Sequence, residues 1–161
     1  PKLRYIRLER SYPAELKNVD CDLLTIARGA TVLKKAGGHG TKICILSSGY
    51  MLGRALQASK SLENCSVSVV DLFRVKPIEN SVLGDFIEDA DYIVTLEEQM
   101  LSGGFGSSVC EKVADLGLQK KILRIGLPED YIFQNATREY LLDNNGLSVE
   151  TICEQIREFI K

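Results

Sequence analysis

The sequence predicts an α/β fold, a three-layer and mostly parallel open sheet of about five strands, with helices on both faces and one antiparallel edge strand. Two observations predict it. Short apolar runs at residues 42–47, 66–71, 91–96 and 121–125 are typical of strands that are covered on both faces. Segments with helical spacing lie between these runs, which is the alternation of βαβ units with right-handed crossovers.

Length and composition indicate one globular domain. The chain has 161 residues, of which 45% are hydrophobic and 26% charged, so neither disorder nor a fibrous class is indicated. A net charge of -2 and a pI near 5.5 argue against nucleic acid as a partner. With no membrane-length apolar run and no signal segment in the sequence, we expect a cytoplasmic protein. Because the chain begins at Pro1 and not at Met, we expect a piece of a longer polypeptide.

The five cysteines are odd in number, widely spaced and mostly set in apolar patterns, which favours reduced thiols in the core of a cytosolic protein. No two of them form a CxxC pair, and the one histidine, His39, lies among glycines. Too few nitrogen and sulfur ligands are clustered for a zinc site. The cysteines are Cys21, Cys44, Cys65, Cys110 and Cys153.

The first third of the chain predicts the edge of the sheet and its first central strand. We expect residues 3–8 to form a short strand, followed by a polar linker over residues 9–20. Residues 23–26 and 30–33 predict an edge hairpin or a first antiparallel strand. The continuous apolar run at residues 42–47 predicts a strand buried on both faces.

A βαβ unit follows that strand. After Ser48, apolar residues at helical spacing predict a helix that ends near Leu62, and residues 66–71 return as the next strand. Pro77 is well placed to begin a short helix, because its fixed φ suits the first helical position. The inward-facing side chains of that helix are Val82, Leu83, Phe86 and Ile87.

Residues 91–109 combine a buried strand, a pair of carboxylates and a glycine turn that opens a helix. The strand ends in Glu97 and Glu98. In an open parallel sheet the functional edge lies beyond the carboxyl ends of the strands, so both acids should lie there. The glycines that supply the permissive backbone for a sharp turn are Gly103, Gly104 and Gly106.

Two closing helices follow the fourth central strand at residues 121–125. The first covers residues 137–142 and stops at residues 144–146, whose glycine suits a left-handed helix end. The last has Ser148 as its N-cap and Glu150 in its first turn.

The strand-end residues suggest chemistry, and each suggestion has a plainer alternative. Exposed N–H groups in the glycine turn could bind phosphate, but the third glycine of the dinucleotide fingerprint is missing, and a packing turn is favoured. Glu97 and Glu98 should point to opposite faces, one to the sheet edge and one to a partner domain, so they are poorly placed as an acid-base pair. Since the sequence also lacks a nucleophile elbow, we expect no catalytic residue in this chain.

Five short motifs stand in the same order as in a known family. The chain resembles the C-terminal domain of thiamine-diphosphate enzymes of the transketolase type, which include 1-deoxyxylulose-5-phosphate synthase and transketolase. Residues 134–136 depart from the family pattern, so both enzymes stay open. The motifs are residues 48–51, 69–77, 95–98, 103–107 and 124–128.

The resemblance implies a domain organisation and a division of labour. Residues 1–20 would be the end strand and linker of a preceding pyrimidine-binding domain, and residues 21–161 the C-terminal domain. Thiamine diphosphate and magnesium are held elsewhere in the intact enzyme, so this chain would bind no cofactor or metal and would be inactive alone. Its role would be structural, in contact with the remaining domains and within a homodimer. Arg7 is implied as a substrate-phosphate contact, with a solvated edge-strand arginine as the alternative.

The remaining candidates belong to the strand-end loops. Arg74 and Lys76 could meet an anion or pair with Glu97 or Glu98. Two other functions stay open: a free-standing anion-binding regulatory module, and a subunit-docking domain like that of the pyruvate dehydrogenase beta subunit. The interface or strand-end candidates are Ser48, Arg74, Lys76, Glu97, Glu98, Gly103, Gly104 and Gly106.

Overall fold

A computed structural model describes residues 3–9, 13–16 and 22–161. Its centre is a five-stranded sheet with the order β1-β3-β2-β4-β5, in which β1 pairs antiparallel to β3 and all other pairs are parallel. The predicted fold class, with its antiparallel edge strand, is confirmed. The strands are β1 (Thr31–Lys34), β2 (Thr41–Ser47), β3 (Cys65–Asp71), β4 (Tyr92–Met100) and β5 (Lys121–Leu127).

Six helices surround the sheet in the described part of the chain, together with a short 3-10 turn at Ala14–Leu16. Between the fifth and sixth, the backbone turns at Gly146 with a φ of 80°, as the sequence predicts for a glycine helix end. The helices are α1 (Leu23–Arg28), α2 (Met51–Ser61), α3 (Asn80–Ile87), α4 (Phe105–Asp115), α5 (Arg138–Leu142) and α6 (Val149–Phe159).

The core consists of two apolar clusters, one on each face of the sheet. Alternate residues of β2 supply them: Ile43 and Ile45 face α2 and α6, whereas Cys44 and Leu46 face α3 and α4. All four side chains are fully buried or nearly so. Because consecutive strand residues point to opposite faces, a continuous apolar run is what a sheet covered on both sides requires.

Side-chain caps explain where two of the late helices begin. Ser148 accepts a hydrogen bond from the backbone N–H of Thr151 at the start of α6, which confirms the predicted N-cap. Thr137 accepts one from the N–H of Tyr140 at the start of α5. Each cap satisfies a donor that has no partner inside the helix.

The prediction of a strand at residues 23–26 is wrong, because this segment is helix α1. Asp22 accepts a hydrogen bond from the N–H of Thr25 at 2.7 Å, and Gly29 ends the helix with a φ of 81°. The predicted first antiparallel strand exists, but it is β1 alone, which begins after Gly29. The apolar side chains of α1 mimicked a strand, but the helix buries none of them.

Three other boundaries differ from the sequence prediction. Residues 3–8 form no strand. Pro77 does not begin α3, which starts three residues later at Asn80, because Glu79 takes the extended conformation that precedes a helix. Strand β4 continues past Glu98 to Met100, and its register with β5 shifts between Leu96 and Met100. This irregularity lies at the two carboxylates.

The edge strand β1 is short and irregular. It has four residues, and its register with β3 shifts between Val32 and Lys34. The Lys34 side chain folds over α2, where Nζ donates hydrogen bonds to the carbonyl oxygen and Oγ of Ser59 at 2.8 and 3.2 Å.

The four described cysteines are free thiols, and two of them, Cys44 and Cys153, are buried. Burial raises the pKa of Cys44 to about 11, so this thiol is protonated at neutral pH. The prediction for Cys21 lies outside the described residues. Within the described part of the chain, every helix is too short or too polar to cross a membrane.

Candidate functional site: the carboxyl ends of the strands

The candidate site lies where the parallel strands β2, β3 and β4 end. Ser47 closes β2 and pairs in register with Asp71 of β3 and Leu96 of β4. The Ser47 hydroxyl donates to the Leu96 carbonyl oxygen at 2.7 Å, which ties the ends of β2 and β4 together. The two predicted acids, Glu97 and Glu98, follow directly on β4.

Glu97 is an internal cap for helix α4. Its side chain is 2% exposed, and its two carboxylate oxygens accept hydrogen bonds from the N–H groups of Phe105 and Gly106 at 2.6 and 2.8 Å. Burial raises the pKa of this carboxyl, although the two N–H donors and nearby Arg124 oppose the shift. A carboxylate thus occupies the helix start, where backbone donors and the helix dipole favour negative charge.

The glycine turn is shaped by this carboxylate. A Cβ on Gly104 would overlap Glu97 Oε2, and a Cβ on Gly106 would overlap Thr95 Oγ1. Gly103 supplies the positive φ, 67°, that the turn needs. The donors that could have bound phosphate at Phe105 and Gly106 are engaged within the chain, which is what a packing turn requires.

Arg124 completes the polar layer beneath the turn, and sequence analysis missed this role. Its guanidinium donates to the Leu101 carbonyl oxygen at 2.9 Å and to Ser107 Oγ at 2.8 Å. Ser107 in turn donates to the same carbonyl at 2.8 Å. An arginine inside an otherwise apolar strand run was the signal available in the sequence, because a charged side chain there requires partners.

Glu98 points to the other side and joins a cluster of four charges, which we call the strand-end cluster: Arg7, Glu9, Glu98 and Arg138. Glu98 accepts from Arg7 Nη2 at 3.0 Å and from Arg138 Nε at 2.9 Å. Glu9 pairs with the same two arginines at 2.8 and 3.1 Å. Burial alone would raise the pKa of Glu98, but Arg138 and Arg7 outweigh it and hold the pKa below its usual value.

The aromatic ring of Tyr50 supports the strand-end cluster. The guanidinium carbon of Arg138 lies 3.8 Å from the centroid of this ring, which is a cation-π contact. The Tyr50 hydroxyl donates to Glu139, and this hydrogen bond raises the pKa of the tyrosine. Two cations and two anions therefore share one site beside α2 and α5, and their charges cancel.

The structure does not bring the other strand-end candidates to the two acids. Arg74 donates to the carbonyl oxygens of Ile26 and Ala27, both at 2.8 Å, so its predicted pairing with Glu97 or Glu98 is wrong. These carbonyls belong to the last turn of α1, where a cation is favourable. Ser48 lies beside Asp71 and lowers the pKa of that acid, and Lys76 is exposed.

Asp71, at the end of β3, carries the most perturbed carboxyl of this edge. Burial raises its pKa to about 6, and the nearby Ser48 side chain only partly opposes the shift. Among the residues that the structure describes, Oδ1 of Asp71 has no hydrogen-bond partner. Its ionised form is therefore poorly stabilised in the folded protein.

The described residues offer no group of three metal-ligating side chains. Of the anion-binding donors at the strand ends, Arg7, Arg74, Arg138 and the N–H groups of Phe105 and Gly106 all contact groups of the chain itself. The arrangement is suited to holding loops and segments together.

Fold and site together define a class: an open three-layer α/β domain whose strand-end edge is closed by its own carboxylates. Residues 30–152 match the family described as "Transketolase, C-terminal domain". The chain belongs to that family, which confirms the resemblance found in the sequence.

Similar proteins include 1-deoxy-D-xylulose-5-phosphate synthases. That of Haemophilus influenzae (strain 86-028NP) is 36% identical over 155 residues, 96% of this chain and 23% of the relative. That of Chlorobium phaeovibrioides (strain DSM 265 / 1930) is 35% identical over 123 residues, 75% of this chain and 19% of the relative. A solved structure titled "Split gene transketolase, inactive beta4 tetramer" matches with a TM-score of 0.69 and 28% identity, covering 81% of this chain and 42% of that one. The chain thus spans about a quarter of the length of the curated relatives that it matches.

Replacing Glu97 by glutamine tests the internal cap. Glutamine keeps the size, but it removes the charge and presents an NH2 group to one of the two backbone donors. We expect Glu97→Gln to lower the free energy of unfolding by about 1–3 kcal/mol, measured by urea denaturation. Glu111→Gln, at an exposed position of α4, is the matched control and should change little. Equal stabilities of the two variants would contradict the cap.

The raised pKa of Asp71 predicts a stability that falls with pH. The pKa of Asp71 in the folded protein, about 6, exceeds the usual value of 3.8, so the folded protein binds this proton more tightly than the unfolded chain does. The stability that the tighter binding adds is lost as the pH rises from about 4 to about 6. Two pKa units correspond to about 3 kcal/mol. Asp71→Asn should therefore gain up to this amount relative to the parent chain between pH 4 and pH 7.5, measured by urea denaturation at each pH. Asp89→Asn, at an exposed position, should show no such gain; a pH-independent difference for Asp71→Asn would refute the prediction.

Proposed function

We propose that this chain is the C-terminal structural and dimer-contact domain of a thiamine-diphosphate-dependent enzyme, either a 1-deoxyxylulose-5-phosphate synthase or a transketolase. Membership of the family and synthase relatives that extend well beyond the matched region support this proposal. The synthase is the favoured enzyme, since 96% of this chain aligns with that of Haemophilus influenzae. In the intact, cytoplasmic enzyme the partners are the remaining domains and a second subunit.

The observation that carries the proposal is a set of exposed apolar side chains in the two segments that lead into the strand-end cluster. Tyr5 and Phe133 are each 90% exposed, and Tyr131 is 80% exposed. These side chains lie in two segments: residues 3–8 include Arg7 of the cluster, and the loop after β5 leads into Arg138 at the start of α5. Exposed apolar side chains at one edge favour contact with another protein surface. We name as the apolar rim Tyr5, Ile6, Leu8, Tyr131 and Phe133.

The described residues do not fit thiamine diphosphate with magnesium. A diphosphate needs free donors and a metal needs several oxygen ligands, but the N–H groups at the start of α4 are bound by Glu97, and no described group of three ligands exists. We therefore propose that both are held by other domains of the intact enzyme. The same engagement of donors disfavours a free-standing anion-binding module.

The domain boundary and Arg7 complete the proposal. Residues 1–20 would link a preceding pyrimidine-binding domain to the C-terminal domain at residues 21–161. Arg7 pairs with Glu98 and Glu9 in this structure. A role as substrate-phosphate contact in the intact enzyme stays a prediction, and it would require Arg7 to exchange these carboxylates for the phosphate.

The isolated chain should not bind the cofactor. Titration with thiamine diphosphate and magnesium, each at millimolar concentration, should leave the melting temperature of the isolated chain unchanged. Binding would be detectable, because a ligand at a hundred times its dissociation constant adds about 2.7 kcal/mol to the free energy of unfolding. The intact enzyme is the positive control and should be stabilised. A clear stabilisation of the isolated chain would overturn the structural role.

The dimer contact predicts a selective effect of rim substitutions. In the intact enzyme, Phe133→Ser should raise the dissociation constant of the dimer about tenfold or more, since a buried aromatic ring contributes over 1.4 kcal/mol. Leu118→Ser, also an exposed apolar position but in the loop that enters β5 at the opposite edge, is the matched control. Analytical ultracentrifugation measures both. Unchanged dissociation for Phe133→Ser would remove the rim from the interface.

A further inference from the structure

One face of α2 is a shallow groove made by residues four positions apart. Gly49 lies just before the helix, Gly53 lies within it, and Gln57 follows one turn later. Gly53 and Gln57 are four positions apart within α2, so they lie on one side of the helix, and Gly49 precedes it with a φ of 63°. The two glycines remove side chains from that side.

A segment near the amino end of the chain is seated on this face in the same order. Glu9 lies at Gly49, where a Cβ would be 3.7 Å from its Cγ. Pro13 lies at Gly53, where a Cβ would be only 2.6 Å from the Pro13 Cβ. Beyond it, Glu15 Oε1 accepts a hydrogen bond from Gln57 Nε2 at 2.9 Å, which lowers the pKa of that acid.

Gly53 lowers the stability of α2, and the contact with Pro13 explains why a glycine is nevertheless present there. A glycine inside a helix is less favourable than alanine by about 1 kcal/mol. Gly84 in α3 is the informative comparison, because a Cβ there would meet no atom within 4 Å. Of these two glycines, Gly53 alone is required by the close approach of another segment.

The same segment is anchored a second time at the strand ends. Arg7 and Glu9 both belong to the strand-end cluster, where they pair with Glu98 and Arg138. The contact on α2 is a steric fit, and the contact at the strand ends is ionic. Two contacts of different physical kind therefore hold residues 7–9 and 13–16.

We propose that residues 7–9 and 13–16 act as a strap that holds this amino-terminal part of the chain against α2 and the strand ends. The α2 groove is a docking surface for an acidic, proline-containing segment, which this chain supplies itself. The strap fixes where Tyr5, Ile6 and Leu8 of the apolar rim lie relative to the domain. It does not depend on the enzyme proposed above, because both partners lie within this chain.

Limited proteolysis with a glutamate-specific protease tests the strap. In the parent chain, cleavage after Glu15 should be slower than after Glu129, which lies in the exposed loop after β5. Gly53→Ala should accelerate cleavage after Glu15 about fivefold or more, because the added methyl group displaces Pro13. Gly84→Ala is the matched control and should leave that rate unchanged. Mass spectrometry of the fragments, with Glu129 as the internal reference, measures the rates.

A substitution in the strap itself distinguishes loss of the strap contact from misfolding of α2. Pro13→Gly leaves the helix intact and should accelerate cleavage after Glu15 as Gly53→Ala does, with an unchanged melting temperature for the remaining domain. The proposal is overturned if Glu15 is cleaved as fast as Glu129 in the parent chain. It is equally overturned if Gly53→Ala and Pro13→Gly behave like Gly84→Ala.

Discussion

The hydrogen bonds from the start of α4 to the carboxylate of Glu97 are the constraint on which the site depends. They fix the direction in which the chain leaves β4. The carboxylate leaves room only for glycine at position 104, and Thr95 together with the carboxylate leaves room only for glycine at position 106. A helix start that would otherwise attract an external anion is satisfied by a residue eight positions earlier. The edge where related α/β folds bind ligands is thereby closed from inside.

Glu97 and Glu98 show how neighbouring residues of one type acquire different properties from the pleat of a strand. Glu97 is directed inward, where burial dominates and raises its pKa, and backbone donors satisfy it. Glu98 is directed outward, where Arg7 and Arg138 lower its pKa. Glu97 fixes a loop that follows it directly in sequence. Glu98 binds two segments that are distant in sequence, so the same chemical group makes local contacts in one case and long-range contacts in the other.

Sequence patterns predicted the sheet, because continuous apolar runs in strands such as β2 depend only on burial on both faces. They also predicted the start of α6, because Ser148 caps locally. They failed at residues 23–26, where an exposed helix has no buried face to set its period. The internal role of Glu97, and the partners of Arg124, arise from contacts between distant elements, and no local pattern specifies these. Gly53 was the one sequence feature that could have revealed the contact with Pro13, since a glycine inside a helix requires a reason.

The short edge strand β1 determines how this domain can grow into an assembly. A free strand edge offers unpaired backbone groups to any passing chain, and proteins blunt such edges with short length, irregular register and lysine. Strand β1 has all three, with Lys34 held over α2. Continuation of the sheet from one molecule into the next is disfavoured there. At this edge, higher-order association is therefore directed to side-chain surfaces, where geometry can select one partner over another.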